Sequence, residues 1–328
     1  MTIEVDSEGF MTGIGSETPS QYHTDPCKHP SLSAHTAMRL LRCPEDVMRT
    51  HPKLGGSRHQ REYTDSMDNG NLIDALLTGA KYVPSAKQSH AALGKNGKEL
   101  GSVEYETFGD LVIVDADAWQ SNSAKEIREL ARDQNKTPIL RADFVSQYGK
   151  VPEYLARLEL AGVTLEGVQT QVPIYWVEES STGQRVQCRG LLDIVDDMEC
   201  PETGEDCGVA ITDLKTAADI SDKGIARSIF QYNYHVQGAV YQRGYHKATD
   251  VVARVRLAFL RTSLPAARAD WLGETWLQFG ALLWERAVDI WAECLSTGYW
   301  PGHELRSESI VPEPYMLQDM KRQLGIEE

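Results

Sequence analysis

The hydrophobic pattern of the chain changes its period after Gly162, and this change constrains the fold more than any other feature. Before it, two charged amphipathic stretches, at 124–135 and 144–160, repeat with the period of an α-helix. After it, apolar and polar residues alternate in three runs that strong turn signals separate, as strands do. The runs are VQTQVPIYWVE, RVQCRGLLDIVDD and GVAITDLKT. The sequence therefore predicts a meander of three strands.

Helical patterns lie on both sides of the meander. Ahead of it we expect a helix that is capped by Ser31 or Ser33, and behind it a long helix from Ser221 through Lys247. The run VVARVRLAFLRT then returns to a strand, and a final helix follows at 270–297. This order of elements predicts an α/β fold with helical additions on the N-terminal side.

A single domain is expected to account for most of the chain. Residues 1–30 are polar and turn-rich, and we expect one domain over 31–328 with its core at about 165–262. The stretch from Lys81 to Lys98 is rich in Lys, Ser and Gly, which predicts an exposed loop. The final helix carries four tryptophans, which we expect in the core because an amphipathic helix needs an apolar face. They are Trp271, Trp276, Trp284 and Trp291.

The composition bears on three properties: the location of the protein, zinc binding and DNA binding. The 328 residues include no apolar stretch long enough for a membrane span and no signal peptide, so a soluble, cytoplasmic protein is expected. Cys200 and Cys207 bracket an acidic turn but lack the second pair that a closed zinc site requires, so no zinc is expected. The net charge of −15 opposes DNA binding on average, although binding depends on where the lysines and arginines gather.

Two acidic residues and a lysine fall together on the predicted strands. Asp213 and Lys215 are two apart, so their side chains leave the same face, and Asp193 lies in the preceding strand within an apolar run. A carboxylate buried there requires a cation, and Mg²⁺ is a hard ion that prefers oxygen ligands. The main-chain carbonyl of Leu214 is a further candidate ligand. The alternative is a surface ion pair between Asp213 and Lys215, with Asp193 beside a turn.

The spacing of these residues resembles that of a known superfamily. An acid in one strand, followed about twenty residues later by Asp-x-Lys in the next, is what the PD-(D/E)XK nucleases show. The helix that follows is similar to the Q-x-x-x-Y helix of RecB-like and RecE-like (exodeoxyribonuclease VIII) nucleases, with Gln237 and Tyr241 at the matching positions. The resemblance implies a restriction-endonuclease-like core, in which helices flank a mixed central sheet.

Three other stretches are also similar to RecE-like sequences, so the likeness extends over most of the chain. They are QYHTDPCKHPSLSAHTAMRLLRCPEDV, AKEIRELARDQNKTPIL and the W-P-G that begins at Trp300.

The resemblance implies a catalytic and metal-binding role for several residues. Asp193, Asp213 and Lys215 would be catalytic together with Gln237 and Tyr241. The expected ion is Mg²⁺, with Mn²⁺ as a substitute, and its expected ligands are Asp74, Asp193, Asp213 and the carbonyl of Leu214.

Two positions depart from the family pattern. Asp74 stands where RecB-like and RecE-like relatives usually have His and lambda-type exonucleases have Glu, so it is a candidate ligand; the alternative is that it only caps or solvates a helix. Gln171 stands where relatives often have Glu, and its neutral amide would be a weaker ligand.

Other residues match positions that hold DNA in the family. His35, Arg39 and Arg42 lie on the N-terminal helix, where lambda-type enzymes carry basic groups that recognise a 5′-phosphate. Tyr234 begins a polar and aromatic stripe with Gln237 and Tyr241, which is able to hydrogen-bond a DNA backbone. A core stripe is the alternative.

The function that the resemblance implies is that of a phage-type recombination exonuclease. Such an enzyme degrades one strand of linear duplex DNA from its end, in the 5′ to 3′ direction. A homo-oligomeric ring and a single-strand annealing protein as partner are implied in the same way. Two alternatives stay open: a RecB-like endonuclease or flap nuclease with the same metal site, and a DNA-binding module that keeps the fold without activity.

Overall fold

Strands from both halves of the chain build two sheets. The computed structural model describes residues 3–55, 64–79, 81–93, 98–199, 206–303, 311–324 and 326. The strands are β1 (Glu4–Val5), β2 (Met11–Ile14), β3 (Gln88–Leu93), β4 (Glu99–Phe108), β5 (Leu111–Val114), β6 (Thr137–Leu140), β7 (Gln169–Glu179), β8 (Arg185–Glu199), β9 (Asp206–Ala217), β10 (Ala253–Arg261) and β11 (Ala266–Trp271).

Helices cover both faces of the larger sheet and flank the smaller one. They are α1 (Pro19–His23), α2 (Ala34–Leu40), α3 (Pro44–Thr50), α4 (Asp65–Thr78), α5 (Asn122–Asp133), α6 (Arg141–Tyr148), α7 (Val151–Leu160), α8 (Asp222–Gln231), α9 (Tyr234–Thr249), α10 (Glu274–Thr297) and α11 (Pro314–Leu324). Within the described ranges, every helix falls short of the length and apolar character that a membrane crossing requires.

The larger sheet contains the predicted meander. Its order within the described residues is β1-β2-β7-β8-β9-β10-β11, and only the β9–β10 pair is parallel, so the sheet is mixed. The connections from β7 to β8 and from β8 to β9 have too few residues for a crossover, which makes β7, β8 and β9 antiparallel neighbours. The predicted meander and the mixed sheet are therefore confirmed.

Apolar side chains from two layers of helices bury this sheet. On one face, α9 and α10 pack against the strands, and Trp176, Trp284 and Trp291 are fully buried between them. On the other face, α4 and α7 contribute Ile73, Leu77, Tyr154 and Leu158. Burial on both faces explains why the strand runs carry so many branched apolar residues.

The four tryptophans differ in their positions. Trp284 and Trp291 lie in the core as expected, and Trp276 is half-buried on the same helix. The expectation for Trp271 was wrong, because the helix begins at Glu274 and Trp271 ends β11 with 40% of its surface exposed.

The long helix that was predicted from Ser221 to Lys247 is two helices. Ser221 does cap α8, but that helix ends at Gln231, and α9 starts at Tyr234. Asn233 between them has a left-handed backbone with φ of 56°, which a continuous helix does not allow. Asparagine is among the residues that tolerate this conformation. The break therefore depends on the backbone of one residue, which hydrophobic periodicity does not reveal.

A second sheet is formed by the part of the sequence that lies between α4 and β7. Its order is β3-β4-β5-β6 in the part of the chain that the structure describes. The prediction of an exposed loop over 81–98 was therefore partly wrong, since residues 88–93 form the edge strand β3. Half of the residues of this strand are exposed, and its polar first half is that of an edge strand, which sequence alone does not separate from a loop.

The polar segment at 1–30 takes part in the larger sheet. Strand β2 pairs antiparallel with β7, through Gly13 with Tyr175 and Ile14 with Ile174, and β1 pairs with β2. The segment therefore extends the sheet on which the candidate site lies. The domain boundaries at 30 and 31 stay a prediction.

Candidate active site

Asp213 and Lys215 lie side by side on β9, as their spacing predicts. The ammonium of Lys215 forms an ion pair with Oδ2 of Asp213, and both side chains are largely buried, at 13% and 2% exposed. The Nζ atom of Lys215 also lies 4.8 Å from the centre of the Tyr234 ring. Burial lowers the pKa of Lys215, but the charges of Asp213 and Asp193 outweigh it, so the net pKa is raised and the lysine stays protonated. The alternative of a surface ion pair is excluded.

Asp193 reaches the same point from β8. The register of the two strands pairs Ile194 with Thr212, and one step further along it places Asp193 opposite Asp213. The main-chain N–H of Leu214 donates a hydrogen bond of 2.8 Å to Oδ2 of Asp193. Burial, followed by the nearby charges of Asp213 and Asp74, raises the pKa of Asp193 well above its usual value. The strands therefore bring two carboxylates together in a pocket that disfavours their charge.

Asp74 joins this group from α4. It lies in the interior of that helix, which Thr64 caps, so the helix-cap alternative for Asp74 does not hold. Burial is the largest cause that raises the pKa of Asp74 to about 6, and the charge of Asp213 adds to it. Three acidic side chains thus face one ammonium in the same neighbourhood.

Gln171, which stands where relatives often have Glu, forms a hydrogen bond with Asp74. Its Nε2 atom donates hydrogen bonds to Oδ2 of Asp74 at 2.7 Å and to the hydroxyl of Thr78 at 3.2 Å. Its backbone has φ of 52°, between the pairs Thr170–Ile194 and Val172–Leu192 of the β7–β8 ladder. A left-handed residue interrupts the regular ladder and re-aims its side chain, which explains how Gln171 reaches α4.

Gln237 and Tyr241 lie behind Asp213 on α9. Nε2 of Gln237 donates hydrogen bonds to Oδ1 of Asp213, at 3.2 Å, and to the hydroxyl of Tyr241, at 2.8 Å. Tyr241 is buried, and burial raises its pKa well above the usual value, so its hydroxyl is neutral. The predicted stripe therefore fixes the orientation of a carboxylate, and Tyr234 from the same stripe covers Lys215.

A cleft of about 1080 Å³ opens in front of these residues. Asp74, Asp193, Tyr234, Gln237 and Tyr241 line it, and so do His35 and Arg39 of α2. Arg42 is exposed beyond the end of α2 and is not among the described residues that line the cleft. The structure thus brings the predicted site residues on β8, α4 and α9 to one cleft with two of the three predicted basic residues, while Asp213 and Lys215 contact this group from β9 without being among the described residues that line the cleft.

Two cleft residues were not predicted from the sequence. Arg189 is 5% exposed on β8, contacts the Tyr22 ring and donates a hydrogen bond to the carbonyl of Tyr22. Tyr232 is 54% exposed at the α8–α9 break, with its ring 5.6 Å from that of Tyr234. Arg189 lies within a strand run where a buried charge is not expected, and Tyr232 was placed inside a continuous helix. Only the left-handed tendency of Asn233 hinted at the exposed position.

The donor set fits a hard divalent cation. Oδ2 of Asp213 is buried and receives no hydrogen bond within the described part of the chain, although Lys215 pairs with it. Burial, followed by the neighbouring carboxylates, raises the pKa values of Asp193 and Asp74, so a bound cation would offset an environment that disfavours their charge. Carboxylate oxygens suit Mg²⁺ or Mn²⁺, and one or two of them suffice because Mg²⁺ keeps several waters. Asp193 and Asp213 would hold the ion, with Asp74 beside them.

Comparisons with known proteins agree with this fold. Residues 33–310 match the family described as "PDDEXK-like domain of unknown function (DUF3799)". Among solved structures, a protein of Eubacterium rectale that is provisionally named an exonuclease is 16% identical, with a TM-score of 0.52 over 97% of this chain and 98% of that one. The protein SSO0001 is 18% identical, with a TM-score of 0.26 over 50% of this chain and 66% of its own. No curated protein matches the chain.

These findings identify the superfamily, while the closer likeness to RecE-like enzymes stays a prediction. The family match covers more than half of the chain, and the E. rectale structure shares the fold over nearly its whole length. The chain therefore belongs to the PDDEXK-like family DUF3799 and has the fold of the PD-(D/E)XK nucleases.

Proposed function

We propose that the protein is a divalent-metal-dependent deoxyribonuclease that hydrolyses phosphodiester bonds of linear duplex DNA from its ends. The observation that carries this proposal is the group formed by Asp193, Asp213 and Lys215 on adjacent strands, where Asp193 opens onto a cleft and burial disfavours its negative charge. A cation and a phosphate group would together complete such a site.

Each residue of the site has a distinct task in this chemistry. When it is bound, a divalent ion supplies charge stabilisation for the phosphoryl oxygens and lowers the pKa of an attacking water. Lys215 is protonated because its pKa is raised, so it acts as a positive donor that orients water or substrate and not as the base. Gln237 holds Asp213 through Oδ1, and Tyr241 holds Gln237. These contacts keep the carboxylate in place while charge develops on the substrate.

Basic and aromatic residues at the cleft supply contacts for DNA. His35 and Arg39 line the cleft from α2 and are the candidate phosphate contacts, whereas the buried guanidinium of Arg189 on the strand side is already bonded to the carbonyl of Tyr22. An arginine pairs with phosphate through two parallel hydrogen bonds, which suits a terminal 5′-phosphate. On this basis, and on the family likeness, we extend the proposal to 5′ to 3′ degradation in phage-type recombination. A homo-oligomeric ring and a single-strand annealing partner belong to the same extension.

The proposal is tested with three DNA substrates in Mg²⁺: a linear duplex labelled at either 5′ or 3′ ends, a closed circle and a flap. The expected result is shortening of the linear duplex, early loss of the 5′ label and no cleavage of the circle. Lys215→Ala should slow hydrolysis by roughly 10²- to 10³-fold, since a preorganised charge at the reacting phosphate is lost. Lys125→Ala is the control, because Lys125 is exposed on α5.

The outcomes separate the proposal from its alternatives. Cleavage of circles or preferential cleavage at the flap would indicate an endonuclease with the same metal site. No cleavage of any substrate in Mg²⁺ or Mn²⁺, at several pH values, would leave a DNA-binding module that lacks activity.

A further inference from the structure

Two segments far apart in the chain meet at the start of α3. The main-chain N–H of Glu45 donates a hydrogen bond of 3.1 Å to the carbonyl of Pro301. The neighbouring Trp300 packs edge-on against the buried Trp291, with their ring centres 5.5 Å apart. Gly302 lies beside the flexible carboxylate of Glu45 in the same contact. Packing and hydrogen bonds therefore hold the segment 300–303 against α3.

This contact brings together three side chains that are able to bind a metal ion. The Sγ atom of Cys43, a carboxylate oxygen of Asp46 and a ring nitrogen of His303 all lie within 4.8 Å of one another. Nε2 of His303 is 3.7 Å from Oδ2 of Asp46. Cys43 is a free thiol, only 2% exposed, and as the N-cap of α3 it makes no side-chain capping hydrogen bond. Among the residues that the structure describes, these three are the His, Cys, Asp or Glu side chains that form a group of at least three with all donor atoms within 4.8 Å of one another.

The chemistry of these donors differs from that of the catalytic site. A thiolate and an imidazole are soft or intermediate ligands, which favour Zn²⁺ and do not suit Mg²⁺. The cleft offers carboxylate oxygens, which suit Mg²⁺ or Mn²⁺. Two sites on one chain would therefore select different ions from the same solution.

We propose that Cys43, Asp46 and His303 form a zinc site that fastens the segment 300–303 to α3. Three protein ligands and one water complete a tetrahedral zinc, and the Cys43 thiol loses its proton to solvent when the ion binds. Helix α3 follows directly after α2, which carries His35 and Arg39 into the cleft. A metal at this point thus holds the element that forms one wall of the cleft.

The test is a titration of Co²⁺ into the metal-free, full-length protein. A thiolate ligand gives a sulfur-to-cobalt charge-transfer band in the near ultraviolet, whereas the carboxylates of the cleft give none. We expect the band to saturate at one equivalent, to disappear on addition of Zn²⁺ and to persist in excess Mg²⁺. Cys43→Ser should abolish it, and His303→Ala should weaken the affinity by at least about tenfold.

Variants of the other cysteines test whether the cobalt band comes from Cys43. Cys294→Ser removes another buried thiol and should leave the band unchanged. The double change Cys200→Ser with Cys207→Ser should also leave it unchanged; Cys200 and the Cys207 side chain lie outside the described residues. His303 is 73% exposed, so its replacement does not disturb the fold if Cys43→Ser does. Cobalt binding without the band, or a band that survives Cys43→Ser, would overturn the proposal.

Discussion

At the scale of single residues, the hydrogen bond from Gln237 to Asp213 decides how well the site holds its ion. Gln237→Leu removes this donor while it keeps a side chain of similar size, and the loss of such a supporting contact typically costs about 10- to 100-fold in metal affinity. We expect hydrolysis to need correspondingly more Mg²⁺. Measurement of the rate against Mg²⁺ concentration gives this shift directly.

Tyr241→Phe serves as the matched comparison. It leaves the bond between Gln237 and Asp213 in place and removes only the hydroxyl to which Gln237 also donates. Its effect on the Mg²⁺ dependence should therefore be smaller than that of Gln237→Leu. Equal behaviour of wild type and Gln237→Leu across all Mg²⁺ concentrations would contradict the role of Gln237.

Glu178 lies near the end of β7 and is only 2% exposed. It forms ion pairs with Arg243 and Lys247 and accepts hydrogen bonds from the indole N–H groups of Trp176 and Trp284. Glu178→Gln leaves both cations without their partner, and because these cations are themselves more than a third exposed, we expect the free energy of unfolding at pH 7 to fall by about 1 to 3 kcal/mol. Urea denaturation of both proteins measures the difference.

The pH dependence of this effect has a definite sign. Burial raises the pKa of Glu178, but Arg243 and Lys247 outweigh burial and leave it below its ordinary value of 4.5. A lowered folded-state pKa gives stability that is present above the unfolded value and is lost as the pH falls through the folded value. The difference between wild type and Glu178→Gln should therefore shrink below about pH 4.5. A constant difference between pH 7 and pH 3 would contradict this assignment.

The residues whose roles depend on local spacing are recognisable in the sequence. Asp193, Asp213 and Lys215 follow from strand periodicity and the Asp-x-Lys pattern, and Gln237 follows from a family pattern. Glu178 and Arg189 gave no signal, because a charged residue within a strand run is read as solvent-facing until its partners are known. Those partners lie on α9 and α1, and only the fold brings them close.

At the scale of elements, the contact between α9 and α10 depends on a glycine. A Cβ atom on Gly280 of α10 would lie 2.2 Å from the main-chain carbonyl oxygen of His235 in α9. Gly280→Ala would force the two helices apart, and we expect it to lower the free energy of unfolding by about 1 to 3 kcal/mol. Thermal or urea unfolding measures this loss.

Gly70→Ala is the control for this change. Gly70 lies within α4, and the nearest atom to its added Cβ would be the hydroxyl of Thr216 at 3.8 Å, which is an ordinary contact. Alanine in an open helical position should be neutral or stabilise the protein by up to about 1 kcal/mol. Equal losses for the two variants would show that helix packing at Gly280 is not the cause.

Elements were predicted correctly where the hydrophobic period is strong and the chain order is simple. The meander and β10 have this property, and β9 with β10 supplies the parallel pair. The smaller sheet was missed because β3 is polar and β5 and β6 have four residues each, too few to show a period. The break at Asn233 was missed because one left-handed residue leaves the flanking helical pattern intact.

At the scale of the whole molecule, the net charge of −15 requires DNA binding to be local. Arg39 lines the cleft, whereas Arg42 is exposed beyond α2 and outside the lining residues that the structure describes. Loss of one phosphate contact lowers the slope of log affinity against log salt by about 1. We therefore expect Arg39→Ala to reduce both the affinity and the slope, and Arg42→Ala to change neither.

This comparison is made with linear duplex in the Lys215→Ala background, so that the DNA stays intact. Fluorescence anisotropy at several salt concentrations gives the slope for each variant. Equal slopes for Arg39→Ala and the parent protein would show that α2 does not contact phosphate.

The proposed function requires that Asp193 and Asp213 share a divalent ion beside Lys215. Anomalous diffraction from crystals soaked in Mn²⁺ tests it most directly, because the signal locates the metal without reference to activity. We predict a peak at about 2.1 Å from a carboxylate oxygen of each aspartate. Saturating Mn²⁺ with no peak between these two side chains would contradict the account.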